Sequence, residues 1–261
     1  MRYFIEISYL GTHFHGWQLQ KDGAATIQGE VEKALSTILN MPVFVQGSSR
    51  TDTGVHARQQ FAHFDVPVEL SAPIIERLNR FLPRDISVRN LYPVKEDTHA
   101  RFDAIGRKYI YRIIHRKDPF KKEFCALYTR RPDVELMNRA AGLLFSYTDF
   151  QCFSKVKTNV LTFNCTLTEA IWKENDETLE FHITANRFLR GMVRAVTGTL
   201  LDVGYGKTSP EAFEQIILSK DRTKAGSASK AEGLTLERVY YPEGYFGEKL
   251  TMDNGQLTMD N

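Results

Sequence analysis

The stretch from Ser49 to Arg58, Ser-Arg-Thr-Asp-Thr-Gly-Val-His-Ala-Arg, constrains the fold of this chain most strongly. It lies between two apolar, strand-like runs at residues 43–45 and 60–64. Threonine, aspartate and glycine clustered between two such runs indicate a turn that joins neighbouring strands. The sequence therefore predicts a strand–turn–strand unit whose turn carries arginine, aspartate and histidine side chains close together.

Asp52 is the residue of this turn with the clearest chemical potential. Arg50 lies two residues away, and a nearby positive charge favours an ionised carboxylate. An ionised, oriented aspartate on a loop between strands can act as a nucleophile or a base. The alternative is an ordinary turn, in which Arg-x-Asp forms a surface ion pair with a local bond to the backbone.

Hydrophobic spacing in the rest of the first half predicts alternating strands and helices. Residues 2–9 form a strand-like run, and a helix is expected over 26–40 with Thr26 as its N-cap. Pro73 opens a second helix, and a strand is expected near 86–94. With the two strands beside the turn, this order is the ferredoxin-like arrangement of strand, helix, strand, strand, helix, strand.

The second half repeats this order of elements without a repeat of individual residues. The expected elements are a strand over 105–115, a helix capped by Asp133, strands near 165–173 and 178–184, helices from about 187 to 203 and from Ser209-Pro210, and a strand over about 234–241. We therefore expect an α/β (α+β) chain of two ferredoxin-like (βαββαβ) subdomains, residues 1–104 and 105–241, with largely antiparallel sheets. Residues 242–261 are expected to form a flexible tail, in which Asn254-Gly255 is a hairpin turn signal.

The segment from 101 to 131 combines positive charge with aromatic rings. It contains ten Lys or Arg and three Asp or Glu, with Phe and Tyr residues between them. Because basic side chains contact phosphates and aromatic faces stack on unpaired bases, the segment favours nucleic acid as a partner. The alternative is a strand with one solvated face, since Arg107, Tyr109 and Tyr111 alternate with a period of two.

Three further arginines, Arg187, Arg190 and Arg194, are spaced three and four residues apart. On the helix predicted from about 187, they would line one face, where like charges repel unless an anion lies over them. Phosphate is a natural anion for such a stripe. A solvated basic stripe with little effect is the alternative.

Composition argues against several other classes of function. The net charge is +2, the three cysteines have no metal-ligand spacing and suit a reducing cytosol, and no apolar run approaches the length of a membrane span. The histidines lack cysteine or carboxylate partners at ligand spacing, and no phosphate-cradling glycine loop or dinucleotide fingerprint is present. We therefore expect no metal, no small-molecule cofactor and no membrane partner.

The motif Gly47-x-x-Arg50-Thr51-Asp52-x-Gly54-Val55-His56-Ala57 resembles the signature of the tRNA pseudouridine synthase A family. Residues 107–111, Arg-Lys-Tyr-Ile-Tyr, are similar to a second motif of that family. Phe188 with Met192-Val193-Arg194 is similar to a third, and Gly233-Leu234 is a weaker match to a fourth. The resemblance extends in order from residue 1 to about 241.

This resemblance implies the pseudouridine synthase fold and a cytoplasmic homodimer that needs no cofactor or metal. The implied activity is isomerisation of uridine to pseudouridine at positions 38, 39 and 40 of the anticodon stem-loop of tRNA. By the same resemblance, Asp52 is the catalytic residue, Tyr109 packs on the target base and Leu234 lies near it. Arg50 is expected to pair with Asp52 or to hold the nucleotide out of the stack. The expected RNA contacts are Arg58, Arg107, Lys108, Arg187, Arg190 and Arg194.

Two other functions stay open on the residues alone. An RNA-binding module without catalysis would use the same basic and aromatic surfaces and would tolerate loss of Asp52. A nucleoside or glycoside hydrolase would need a pair of carboxylates, such as Asp52 with Asp65.

Overall fold

Both halves of the chain contribute strands to one sheet. The computed structural model describes residues 1–21, 23–156, 161–175 and 177–250. The first half contains β1 (Arg2–Tyr9), α1 (Ile27–Leu39), β2 (Gln46–Gly47), β3 (His56–Asp65), α2 (Pro73–Phe81) and β4 (Ile86–Val94). The second half contains β5 (Gly106–Ile114), β6 (Ala126–Leu127), α3 (Val134–Leu143), β7 (Leu167–Asn175), β8 (Thr178–Ala185), α4 (Met192–Gly204), α5 (Pro210–Ser219) and β9 (Leu234–Tyr240).

The strand order explains how the two halves meet. The described strands follow the order β4-β1-β3-β9-β5-β8-β7, with β2 on β3 and β6 on β5. Within each half the main pairings are antiparallel, and β3 joins β9 in parallel at His56↔Thr235 and Ala57↔Leu236. The predicted mixed α/β fold with largely antiparallel strands is therefore confirmed. The division at residue 104 remains a prediction, because strands on both sides of it belong to the same sheet.

Helix boundaries follow the capping residues that the sequence contains. Thr26 accepts a hydrogen bond from the Gly29 N–H, and Asp133 and Ser209 cap α3 and α5 in the same way. Each of these side chains satisfies a backbone donor that the first turn of a helix leaves unpaired. The predicted caps of these three helices are confirmed.

Two predicted elements differ from the structure. The run 43–45 is not a strand, because the N–H groups of Val43 and Val45 bond to the side chains of Ser36 and Glu32 on α1. Helix α4 begins at Met192 rather than near 187, because Gly191 adopts the left-handed conformation (φ +73°) and interrupts the predicted helix.

Both edges of the sheet are protected by an asparagine from a helix. The Asn79 amide of α2 donates to the Val88 carbonyl and accepts from its N–H, at 2.8 and 2.7 Å. The Asn138 amide of α3 forms the same pair of bonds with Trp172 on β7, at 3.1 and 2.8 Å. Because an open strand edge invites pairing with another chain, these amides make the outer strands of the sheet less available for it.

The core packs aromatic rings on both faces of the sheet. In the second half, Trp172 stacks on Phe181 with ring centroids 4.9 Å apart. In the first half, Phe61 stacks on Phe246 at 5.1 Å, so residues 242–250 of the expected tail contact the sheet. The predicted turn at 254–255 lies outside the described residues. No described helix is long and apolar enough to span a bilayer.

The loop between β1 and α1 packs tightly on the turn that the sequence singled out. A Cβ atom placed on Gly11 would lie 2.1 Å from the Val55 carbonyl oxygen. Because that oxygen is part of the main chain of the aspartate-containing turn, rotation of a side chain cannot relieve the overlap. Only glycine at position 11 lets the two segments approach this closely.

We predict that Gly11→Ala lowers the free energy of unfolding by at least about 1–3 kcal/mol, as overpacking of a tight contact does. Gly142→Ala is the matched control, because its Cβ would meet nothing within 4 Å on helix α3. That change should raise stability by up to about 1 kcal/mol through helix propensity. Urea unfolding of both variants measures the difference, and a Gly11→Ala protein as stable as wild type would show that the loop does not pack on the turn in this way.

Candidate active site

Asp52 lies in a tight turn, residues 51–55, which we call the aspartate turn. The Val55 N–H donates to the Asp52 carbonyl at 3.1 Å, and Gly54 supplies the left-handed conformation (φ +77°) that closes the turn. The Trp17 N–H donates to the Thr51 carbonyl at 3.1 Å, and the Thr51 hydroxyl bonds to the Tyr9 hydroxyl at 2.8 Å. The turn is thus fixed from β1 and its loop, while the Asp52 side chain remains 31% exposed.

His56 fixes the other end of the turn and is not available as a base. Its Nδ1 accepts a hydrogen bond from the Gly11 N–H at 3.0 Å, so the ring proton is on Nε2, which donates to the Glu232 carbonyl at 3.1 Å. Burial lowers the pKa of His56, which keeps the ring neutral. His56 therefore links the turn to the segment that precedes β9.

The cation that faces Asp52 comes from the second half of the chain. The Arg194 guanidinium lies with Nη1 3.9 Å from the Asp52 carboxylate. Its Nε donates to the Ser229 carbonyl at 2.7 Å, and the Ser229 N–H donates to the Arg194 carbonyl at 2.9 Å. A long, partly exposed pair of this kind contributes at most about 1 kcal/mol to stability. Its consequence is that the carboxylate faces a cation held in a fixed position.

The predicted ion pair between Arg50 and Asp52 is wrong for this conformation. Arg50 is exposed and forms no hydrogen bond or ion pair with another described residue. The reason is the direction of the turn, which carries the carboxylate toward helix α4. Arg50 is left free for a ligand, as its second predicted role requires.

Tyr109 lies at the same site from strand β5. It is buried, and its ring meets Phe188 edge to face with centroids 5.3 Å apart. Burial is the main cause that raises the pKa of Tyr109 to about 12. The Asp52 carboxylate also raises this pKa, while the Arg107 charge and the Ser49 hydroxyl lower it. The phenol therefore stays protonated at neutral pH, and it is close enough to Asp52 for the carboxylate charge to influence its pKa.

Leu234 opens strand β9 beside the site. It is buried and pairs across the sheet with Tyr111, the neighbour of Tyr109 on the same face of β5. The turn before it, Ala231–Gly233, adjoins the aspartate turn, since a Cβ on Gly54 would lie 3.3 Å from the Ala231 Cβ. Leu234 thus lies in the apolar wall behind the aspartate turn.

Arg107 faces inward and is engaged within the protein, and its contact with RNA stays a prediction. Its side chain is 8% exposed, and its guanidinium donates to four backbone carbonyls, those of Ser48 (3.1 Å), Arg101 (2.7 Å), Ala104 (2.8 Å) and Asn186 (3.0 Å). The fork of N–H groups on arginine suits this arrangement, which a lysine cannot reproduce.

Two other predicted RNA contacts are engaged in ion pairs. Lys108 lies 2.8 Å from the Glu169 carboxylate, on the face of β5 opposite Tyr109. Arg58 is exposed and lies 3.5 Å from Glu237. A neighbouring carboxylate offsets each charge, so these side chains are weaker candidates for phosphate than the sequence indicated.

The predicted arginine stripe along a helix is wrong. Only Arg194 lies on α4, whereas Arg187 and Arg190 lie in the loop between β8 and α4. Arg190 is exposed and Arg187 is half-buried. Both stay candidates for RNA contact, as separate side chains.

Sequence reasoning missed Ser229, which fixes Arg194 through its backbone. No local pattern connects residues 35 positions apart. Arg101 and Phe102 were recognised only as part of a basic and aromatic segment. Both are exposed, and Arg101 lies near Arg50.

The structure argues against a carboxylate pair. Asp65 lies at the far end of β3, about 30 Å along the strand from the aspartate turn. It is engaged with Arg2 at 2.8 Å. Glycosidases need two carboxyl groups about 5–10 Å apart, so Asp52 and Asp65 cannot serve as such a pair. Among the described residues, no group of three His, Cys, Asp or Glu side chains is placed to hold a metal ion.

Comparison with known proteins identifies the family of this chain. The family model described as tRNA pseudouridine synthase matches residues 6–103 and 140–242, which include Asp52, Arg194 and Leu234. The chain is 50% identical over 250 residues to a tRNA pseudouridine synthase A from Porphyromonas gingivalis, covering 94% of this chain and 99% of the relative. Proteins of the same name from Bacteroides fragilis and Bacillus subtilis are 47% and 39% identical, covering 94% and 92% of this chain and 98% and 99% of the relatives.

Proposed function

The chain belongs to the tRNA pseudouridine synthase family, an isomerase family, and we propose that it converts uridine to pseudouridine at positions 38–40 of the anticodon stem-loop of tRNA, with Asp52 as the catalytic residue. One observation carries the assignment of Asp52. Backbone bonds of the first half fix the turn that carries the carboxylate, while Arg194 and Tyr109 of the second half lie beside it. A carboxylate between a fixed cation and an aromatic ring is suited to a nucleotide that has left its base stack.

The chemistry needs one well-placed carboxylate. The glycosidic C–N bond breaks, the uracil turns, and a C–C bond forms from its C5 to the sugar C1′. The proton on C5 is lost and N1 gains a proton. No atom is gained or lost, so the reaction consumes no co-reactant. Asp52 would attack the sugar C1′, attack the base C6, or remove the 2′ hydrogen to give a glycal, and one carboxylate suffices for each route.

The neighbouring residues have separate roles in this proposal. Tyr109 supplies an aromatic face on which the uracil packs, and Leu234 contributes to the apolar wall behind it. Arg50 holds the nucleotide out of the stack, and Arg187 and Arg190 contact phosphates. Arg194 holds Asp52 in position, because its guanidinium is already bonded to Ser229.

Incubation with an unmodified tRNA transcript, followed by mapping of pseudouridine, tests the proposed function. We expect modification confined to uridines at positions 38–40. The matched control is the same transcript with cytidine at those positions, which should acquire no pseudouridine. Absence of product from a protein that binds the transcript would instead identify an RNA-binding module, and product outside the anticodon arm would contradict the proposed position.

We further propose that the chain acts as a cytoplasmic homodimer whose two subunits share one tRNA. Three of the basic side chains expected to contact RNA, Lys108, Arg58 and Arg107, are engaged within the protein. A second copy would extend the basic surface along the RNA. Sedimentation at micromolar concentration should give the mass of a dimer, and a fully active monomer would contradict this proposal.

A further inference from the structure

Three arginines from distant parts of the sequence converge beside the aspartate turn. Arg50 precedes the turn, Arg101 lies in the segment before β5, and Arg187 follows β8. Partial burial, together with the charges of Arg50 and Arg187, lowers the pKa of Arg101, so the Arg101 guanidinium lies near both of the other arginines. No salt bridge among the described residues involves any of the three.

The buried Arg107 guanidinium holds these three segments together. It donates to the carbonyl of Arg101, to that of Ser48, two residues before Arg50, and to that of Asn186, one residue before Arg187. The backbone at or within two residues of each of the three arginines is therefore hydrogen-bonded to the same Arg107 guanidinium. Because Arg107 is itself a cation, it adds to the positive potential that the three others create.

An exposed aromatic ring lies next to this cluster. Phe102 is 74% exposed, and the Arg101 guanidinium is 5.7 Å from its ring centroid. The His99 ring supports it at 4.3 Å, while the His99 Nδ1 accepts a hydrogen bond from the Arg101 N–H at 3.0 Å. A large apolar side chain that is held in place and yet open to solvent is suited to stacking on an unpaired base.

We propose that Arg50, Arg101 and Arg187 form one binding site for an RNA phosphate, and that Phe102 stacks on an unpaired base next to that phosphate. The identity of the ligand as RNA rests on the proposed function. The site borders the reacting nucleotide, because Arg50 is two residues from Asp52 and Arg187 precedes Phe188, which packs on Tyr109. An RNA phosphate would offset the repulsion, and the base would cover the exposed ring.

Binding of an unmodified tRNA transcript at several salt concentrations tests the charged part of the site. Arg101→Ala should reduce the slope of log affinity against log salt by roughly 0.7–0.9, the loss of one phosphate contact. Its melting temperature should stay unchanged or rise, because repulsion is relieved. The control is Arg77→Ala, which removes an exposed arginine on α2 and should leave the slope unchanged. Equal slopes for the two variants would overturn the proposal.

A double variant tests whether the arginines share a phosphate. If Arg101 and Arg187 bind the same phosphate, the loss of affinity in Arg101→Ala/Arg187→Ala will be smaller than the product of the two single losses, because sites that act together are not additive. Two losses that multiply would mean separate contacts and would overturn the shared site.

The stacking part has its own variant and control. Phe102→Ala should weaken tRNA binding by roughly 5- to 150-fold at an unchanged salt slope, as loss of one stacked base does. Phe44→Ala removes a ring of similar exposure, 76%, in the segment that follows α1, and should leave binding unchanged. Equal affinities for the two variants would overturn the stacking role.

Failure of this site and failure of the proposed function are distinguishable. Pseudouridine formation by wild-type protein on the same transcript tests the function alone. If wild-type protein forms pseudouridine normally, while Arg101→Ala and Phe102→Ala bind tRNA as well as their control variants do, the proposed binding site is overturned and the proposed function stands. Absence of product with the expected losses of binding would support the site and overturn the function.

Discussion

The buried guanidinium of Arg107 is the contact on which the arrangement of this site depends. It donates to carbonyls of Ser48 and Arg101 from the first half of the chain and of Asn186 from the second. Beside it, β3 and β9 form the short parallel pairing that joins the halves. A lone buried cation is costly unless its donors are satisfied, and here four carbonyls satisfy it. The site is therefore assembled where the halves meet rather than within either one.

This assembly places groups of different origin around one carboxylate. Asp52 comes from a turn that β1 and its loop hold by backbone bonds, whereas Arg194 comes from α4 and Tyr109 from β5. The ion pair between Asp52 and Arg194 contributes little stability, since it is long and partly exposed. The contacts matter because they hold the Asp52 carboxylate and the Arg194 guanidinium in fixed places, and charges held in this way need no rearrangement during a reaction.

The sequence predicts those features that depend on neighbouring residues. Capping by Thr26 and Asp133, the strand periods and the aspartate turn are local, and the structure agrees with each. Features that depend on distant residues were predicted less well. Arg50 is adjacent to Asp52 in sequence, yet the partner of the carboxylate is Arg194, because the direction of the turn is set by tertiary contacts. Likewise, a period of two identifies one face of β5 without indicating whether Arg107 on that face is buried or solvated.

Single-turnover pseudouridine formation by Asp52→Asn, measured together with tRNA affinity, tests the central assignment most directly. Asparagine preserves the shape of the turn and removes the negative charge, so affinity and folding should stay close to wild type. Turnover should fall by several orders of magnitude, as for other essential catalytic groups. Asp65→Asn, which loses an ion pair with Arg2 at the far end of β3, should retain full activity. Turnover by Asp52→Asn within about tenfold of wild type, well short of the loss expected for an essential group, would contradict the catalytic role.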